Sequence, residues 1–161
     1  MRTIRALCLA TLLLLTPLSL LATPAMATDT SVNIDTTWSG AIVLDGNVTV
    51  MNGSTLTLSP GTTVDGGDGY WIRVEGTLHA SQTDFYSSQA PLTGGSHGAG
   101  LWTGIYITNK GHAVLNDVTL DNAKTAVKVE GQLSANKLTI NDAYIGINVI
   151  GSADIESLTA Q

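Results

Sequence analysis

The run Trp71-Ile72-Arg73-Val74-Glu75 sets an aromatic ring, a guanidinium and a carboxylate at every second position. Spaced by two, all three lie on one side of an extended strand. A second run, Ile105-Tyr106-Ile107, offers a phenol in the same setting. A third, Val127-Lys128-Val129-Glu130, offers an ammonium and another carboxylate. An aromatic face flanked by polar groups suits sugar rings, which present apolar C–H faces and hydroxyl edges. Trp71, Arg73, Tyr106, Lys128, Glu75 and Glu130 are therefore the candidate ligand-binding residues. The competing reading is plainer: opposite charges two residues apart are ordinary pairs on a solvent-facing sheet.

Other chemistry is thinner. Asp65 and Asp68 stand close together in VDGGDGY (64–70), as paired carboxylates for glycoside hydrolysis would. Asp-Gly and Gly-Asp are also what a turn requires on backbone grounds alone, so no catalytic residue is assigned. The same two carboxylates could begin a calcium site. Calcium takes six to eight oxygen ligands, more than this run supplies, and the sequence calls for no cofactor. His79, His97 and His112 show no metal-ligand spacing and read as solvated side chains.

The elements that must position these residues are short and repeated. Set on Gly111, Gly131 and Gly151, Val118-Thr119-Leu120 falls on Leu138-Thr139-Ile140 and then on Leu158-Thr159-Ala160. Val127-Lys128-Val129 falls on Ile147-Asn148-Val149, and Asn116 on Asn136. A fixed period of this size marks a stacked architecture. Each run alternates apolar and polar, so the units are strands with one buried face, and no segment keeps helical spacing. Three short strands in about twenty residues fit an all-β, right-handed parallel β-helix, a solenoid of about five coils. A lone coil points about six small aliphatic side chains inward, at roughly 1.5–3 kcal/mol each. Ordering its residues costs on the order of 1–2 kcal/mol apiece. Only stacked neighbours close that gap.

In this register Thr49, Arg73, Tyr106, Lys128 and Asn148 form one outward column. Asn47, Trp71, Gly104, Ala126 and Gly146 form the next, and Glu75, Thr108, Glu130 and Ile150 a third. Trp71 and Tyr106 thus flank three very small positions, which predicts a shallow groove. The Gly- and Ser-rich run SSQAPLTGGSHGAG (87–100) interrupts the repeat and is expected to protrude as a loop.

The N-terminus is a different kind of sequence. Met1 to Arg5 holds two arginines, Ala6 to Ala22 is almost entirely apolar, and Ala25-Met26-Ala27 is an A-x-A site. These are the parts of a secretory signal peptide over residues 1–27, so the expected location is secreted, extracellular or at the cell surface. Pro17 and Pro24 argue against a retained membrane span. The only cysteine, Cys8, leaves with the leader. What remains can build neither a disulfide framework nor a thiolate metal site. It keeps all 13 acidic residues and loses two of the seven basic ones. Nucleic acid needs clustered Lys and Arg, so it is not an expected partner.

WSGAIVLDGNVTVMNGSTLTLSPGTTV (38–64), VEGTLHA (74–80) and LWTGIYI (101–107) together resemble secreted right-handed parallel β-helix repeat proteins of the pectin-lyase-like fold. The resemblance covers nearly all of the chain after the leader. It implies the fold and leaves function open, because the family holds polysaccharide lyases, glycoside hydrolases, adhesins and repeat modules without activity. Its enzymes carry their substrate groove on an outward sheet face. They also have roughly twice as many coils as are read here. The hydrolase branch uses an Asp-Asp pair and a Gly-His-Gly segment, neither of which this chain reproduces. Residues 28–45 are expected to cap the first coil, with Trp38 over it, and 46–161 to form the coils. The repeat breaks off within a coil at Gln161, where no polar cap is legible. A continuation of the chain or an end-stacking partner is expected, since solenoid ends are normally covered.

These readings converge on a non-catalytic secreted or cell-surface module that presents an outward sheet face to a polysaccharide or a cell-surface partner. The alternatives are the N-terminal part of a carbohydrate-active enzyme, or a purely structural stalk.

Overall fold

The computed structural model describes residues 25–26, 29–67, 69–88 and 102–161. Among them there is no helix, and every strand pairing is parallel. The first coil runs through β2 (Thr30–Val32), β3 (Thr36–Trp38) and β4 (Ala41–Leu44). The second runs through β5 (Val48–Val50), β6 (Thr55–Leu58) and β7 (Thr63–Asp65). From the third coil on, the second and third strands fuse. β8 (Trp71–Val74) leads to the long β9 (Thr77–Tyr86), β10 (Gly104–Ile107) to β11 (His112–Asp121), and β12 (Thr125–Val129) to β13 (Gln132–Asn141). The sixth coil is β14 (Ile145–Val149), β15 (Ser152–Ile155) and β16 (Leu158–Ala160). A two-residue strand, β1 (Ala25–Met26), precedes them and pairs with β4.

The molecule is thus a parallel β-solenoid of about six coils, with about three strands per coil. The count exceeds the five read from sequence because residues 30–44 are themselves a coil. Val32 lies beside Val50, and Trp38 beside Leu58. Trp38 points inward and is 9% exposed.

Strand pairing sorts the coils into a six-stranded sheet, in the order β14-β12-β10-β8-β5-β2, and a ten-stranded sheet that holds the rest. The alternation read from sequence becomes the core. Val48 and Val50, Ile72 and Val74, Ile105 and Ile107, and Val127 and Val129 stack inward from the first sheet, all buried. Leu56, Leu78, Leu115, Val118, Leu120, Leu138 and Ile140 meet them from the second.

The long strands bend where single residues take the left-handed conformation. Gln82, Asp117 and Lys137 do so at φ 49°, 54° and 56°. They follow the stacked column Ser81, Asn116 and Asn136. At the next corner Asn122 and Asp142 do the same, at φ 54° and 50°. Asp and Asn tolerate this region better than most side chains.

Between the two sheets the chain turns at Gly76, Gly111, Gly131 and Gly151. There the coils approach so closely that no side chain fits. A Cβ on Gly131 would fall 2.2 Å from the carbonyl oxygens of Gly111 and Thr108. One on Gly111 would fall 2.0 Å from that of Val74. Each glycine carbonyl accepts the amide that follows the next glycine: His112 N to Gly76 O at 2.9 Å, Gln132 N to Gly111 O at 3.1 Å and Ser152 N to Gly131 O at 2.9 Å. The column recurs every twenty residues from Gly111 to Gly151, where the coils are most regular.

Candidate functional site

The outward face of the six-stranded sheet carries the predicted columns. Thr49 pairs with Arg73, Arg73 with Tyr106, Tyr106 with Lys128, and Lys128 with Asn148. Trp71 lies beside Gly104 in the next column. Strand alternation alone turns all of them outward, since Ile72, Val74, Ile105, Ile107, Val127 and Val129 occupy the inward positions.

Two distinct arrangements divide this face. The first is a ladder centred on Tyr106. Its hydroxyl donates to Glu130 Oε2 at 2.7 Å, and Lys128 Nζ donates to Glu130 Oε1 at 2.7 Å. The Lys128 ammonium sits 4.4 Å from the ring centroid and the Arg73 guanidinium 5.5 Å from it, so two cations from neighbouring coils attend one ring. The electrostatics follow from these contacts. Donation to the Glu130 carboxylate, with some burial, holds the Tyr106 hydroxyl above its ordinary value of 10.0. Donation to the Glu130 carboxylate likewise raises Lys128. The bonds from Lys128 and then Tyr106 lower Glu130. Lys128 and Arg73 pull the Tyr106 hydroxyl the other way, but the bond to Glu130 outweighs them, so each group keeps the charge state it already has. Such a ladder locks three coils together but holds no group poised to exchange a proton near neutral pH.

The second arrangement is an open depression of about 380 Å³ on the other side of Arg73. Asp29, Thr30, Ser31, Asn47, Thr49, Trp71, Arg73 and Glu75 line it. Trp71 is 38% exposed, whereas Trp38 and Trp102 belong to the core. Arg73 Nε donates to Glu75 Oε1 at 2.8 Å, which restrains the guanidinium. Asp29 Oδ1 accepts the Asn47 amide at 2.9 Å, which orients the opposite carboxylate.

The structure therefore places Trp71, Arg73 and Glu75 in the concavity, and Tyr106, Lys128 and Glu130 in the ladder next to it. The groove expected between Trp71 and Tyr106 is not where the open space lies. Gly104 and Ala126, the small residues there, are buried. The concavity opens instead toward the first two coils. Asp29, Thr30 and Ser31 contribute to it from a segment that sequence reasoning assigned to a cap. The alignment of Ser31-Val32 with Thr49-Val50 was the signal that could have found them.

The W-x-G-I run at Trp102-Thr103-Gly104-Ile105 serves packing. Trp102 is fully buried, stacks on Phe85 at 5.8 Å between ring centroids, and donates its indole N–H to the Asp121 carbonyl at 3.0 Å. Gly104 adopts φ 109°, and a Cβ there would fall 1.7 Å from the Thr125 carbonyl oxygen.

Asp65 is 6% exposed, and its Oδ1 accepts the amides of Gly67 at 3.0 Å and Ser88 at 3.1 Å. The carboxylate thereby ties the turn to the start of the next segment. Asp68 lies outside the described residues, as do His97 and most of the expected loop over 87–100. Among the described residues no three His, Cys, Asp or Glu side chains gather as metal ligands would. His79 is exposed and His112 half-buried, on the ten-stranded sheet. A smaller depression of about 200 Å³ on the ten-stranded sheet is lined by Asn116, Ser134, Ala135, Asn136, Asp154 and Glu156. No helix of the described residues is long and apolar enough to cross a membrane.

No protein-family model matches the chain, and no curated protein or solved structure matches it either. The class is therefore set by the architecture itself, an all-β parallel solenoid.

Proposed function

We propose that this chain is a non-catalytic, secreted or cell-surface solenoid module that binds glycan through the outward face of its six-stranded sheet. The observation that carries the reading is the depression: a half-exposed indole beside an oriented guanidinium, two carboxylates, an amide and three hydroxyl residues. Sugar rings stack on indole faces, and their hydroxyls bond to such edges. The neighbouring Tyr106 ladder supports a binding rather than a catalytic role, since its groups are mutually satisfied.

In this reading residues 1–27 are a cleaved signal peptide, and the solenoid is right-handed and of the pectin-lyase-like kind. The resemblance of segments 38–64, 74–80 and 101–107 supports both the hand and the kinship.

Retention on immobilised polysaccharide tests the proposal. Trp71→Ala is expected to weaken it about tenfold, and intrinsic fluorescence is expected to change on binding, because Trp71 is the exposed indole among three. Retention unchanged in Trp71→Ala would sink the assignment of the face. Glycan cleavage by the wild-type chain, lost in Arg73→Ala, would overturn the non-catalytic reading.

A further inference from the structure

The lining of the depression is chemically one-sided. Its formal charges are the Asp29 and Glu75 carboxylates against a single guanidinium, Arg73. Arg73 already offsets one of these carboxylates, since its Nε donates to Glu75 at 2.8 Å. The next cation along the sheet, Lys128, is held by Glu130 and faces the Tyr106 ring. No second cation lines the concavity to receive an anion, and the chain as a whole carries a formal charge of −6.

An acidic sugar has to place its carboxylate somewhere. In this concavity the one favourable spot is Arg73, which it would share with Glu75 and view across the cavity from Asp29. Like charges brought together in a partly desolvated site repel, and breaking the Arg73–Glu75 contact would leave Glu75 without its partner. An uncharged sugar meets no such conflict. Its hydroxyls donate to the two carboxylates, accept from Arg73, and exchange bonds with Asn47, Thr49 and Ser31, while a C–H face lies on Trp71. The volume of about 380 Å³ is near the lower end of small-ligand sites, which suits a short segment of chain rather than an extended groove.

We infer that the depression selects uncharged, hydroxyl-rich saccharides and discriminates against uronate-containing ones, with Asp29 and Glu75 as the discriminating residues. This rests on the glycan-binding reading above.

Affinity electrophoresis of the secreted chain tests it, using gels containing dextran, laminarin or galactomannan and a parallel gel containing polygalacturonate. Wild type is expected to be retarded by at least one neutral polymer, and about tenfold less by polygalacturonate. Retardation by the neutral polymer should survive added salt, because no net ion pairing drives it. It should fall about tenfold in Trp71→Ala and largely persist in Trp71→Phe, which keeps a ring. The pair Asp29→Asn with Glu75→Gln should raise retardation by polygalacturonate relative to the neutral gels. Unchanged far-ultraviolet circular dichroism checks that each variant is folded.

Retardation by polygalacturonate equal to or above that by every neutral polymer, and dependent on Trp71, overturns the selection for uncharged sugars while the glycan-binding reading stands. No retardation in any of the gels removes the glycan-binding reading itself, and the inference with it.

Discussion

At the scale of single residues, what the outward face shows is charge already spent. Glu130 accepts from both Tyr106 and Lys128, and all three partners favour the ionisation states they hold near neutral pH. The direction of each pKa change sets the pH window. Glu130 is lowered, so its contribution is present above its ordinary 4.5 and is lost as pH falls through the folded value. Tyr106 and Lys128 are raised. Their contributions are present below 10.0 and 10.5 and are lost as pH rises through the folded values. The ladder therefore supports the fold best between those limits. Removing the acceptor tests this. In Glu130→Gln the Tyr106 hydroxyl faces two cations without an anion, so its titration midpoint should fall to the ordinary tyrosine range or below. Ultraviolet difference absorbance across alkaline pH, taken against a Tyr106→Phe control, isolates this residue from the other three tyrosines. A midpoint that stays raised would show that burial, not Glu130, holds the proton.

At the scale of the coil, the glycine column and the bend residues do separate jobs. The bends need left-handed conformation, which Asn122, Asp117 and Asp142 supply without glycine. The glycines supply clearance between carbonyls one coil apart. Gly131→Ala would put a methyl group 2.2 Å from two backbone oxygens that cannot move aside without breaking ladder bonds. It should cost about 1–3 kcal/mol in a denaturation midpoint. Ser134→Ala, at an exposed position on the same strand, should change it by less than about 0.5 kcal/mol. Equal effects in the two variants would remove the clearance argument. This scale was largely legible in the sequence. The period, the inward aliphatics and the Asn116–Asn136 stack all came through, because each is a backbone requirement that recurs at a fixed spacing. What was not legible was the fusion of two short strands into β9, β11 and β13, since a bend inside a strand leaves the alternation on both sides intact.

At the scale of the whole molecule, protection should be graded along the solenoid axis. Val129 and Leu138 in the fifth coil are buried, at 0% and 1%. Their counterparts Val149 and Leu158 in the sixth are 46% and 49% exposed. Unfolding free energy in such a stack is close to a sum over neighbouring interfaces. Amides of β14 to β16 should therefore exchange with solvent deuterium well before those of β11 and β12, in a chain ending at Gln161. Uniform protection from β11 through β16 would mean that something covers the last coil.

By itself the sequence determined the class of fold. Inward and outward positions follow from an alternation that only strands can use, and the recurring glycines at Gly111, Gly131 and Gly151 mark where successive coils approach most closely. It also placed Trp71, Arg73, Tyr106 and Lys128 on one face, since register propagates strictly from coil to coil. Only the tertiary structure decided where that face is hollow. A concavity depends on side-chain size, on which charges have turned toward each other, and on whether a neighbouring coil exists. The Arg73–Glu75 pair is local and was readable as two opposite charges on one strand, but Tyr106 meeting Glu130 and Asp29 meeting Asn47 join different coils, and no local pattern encodes the space they leave.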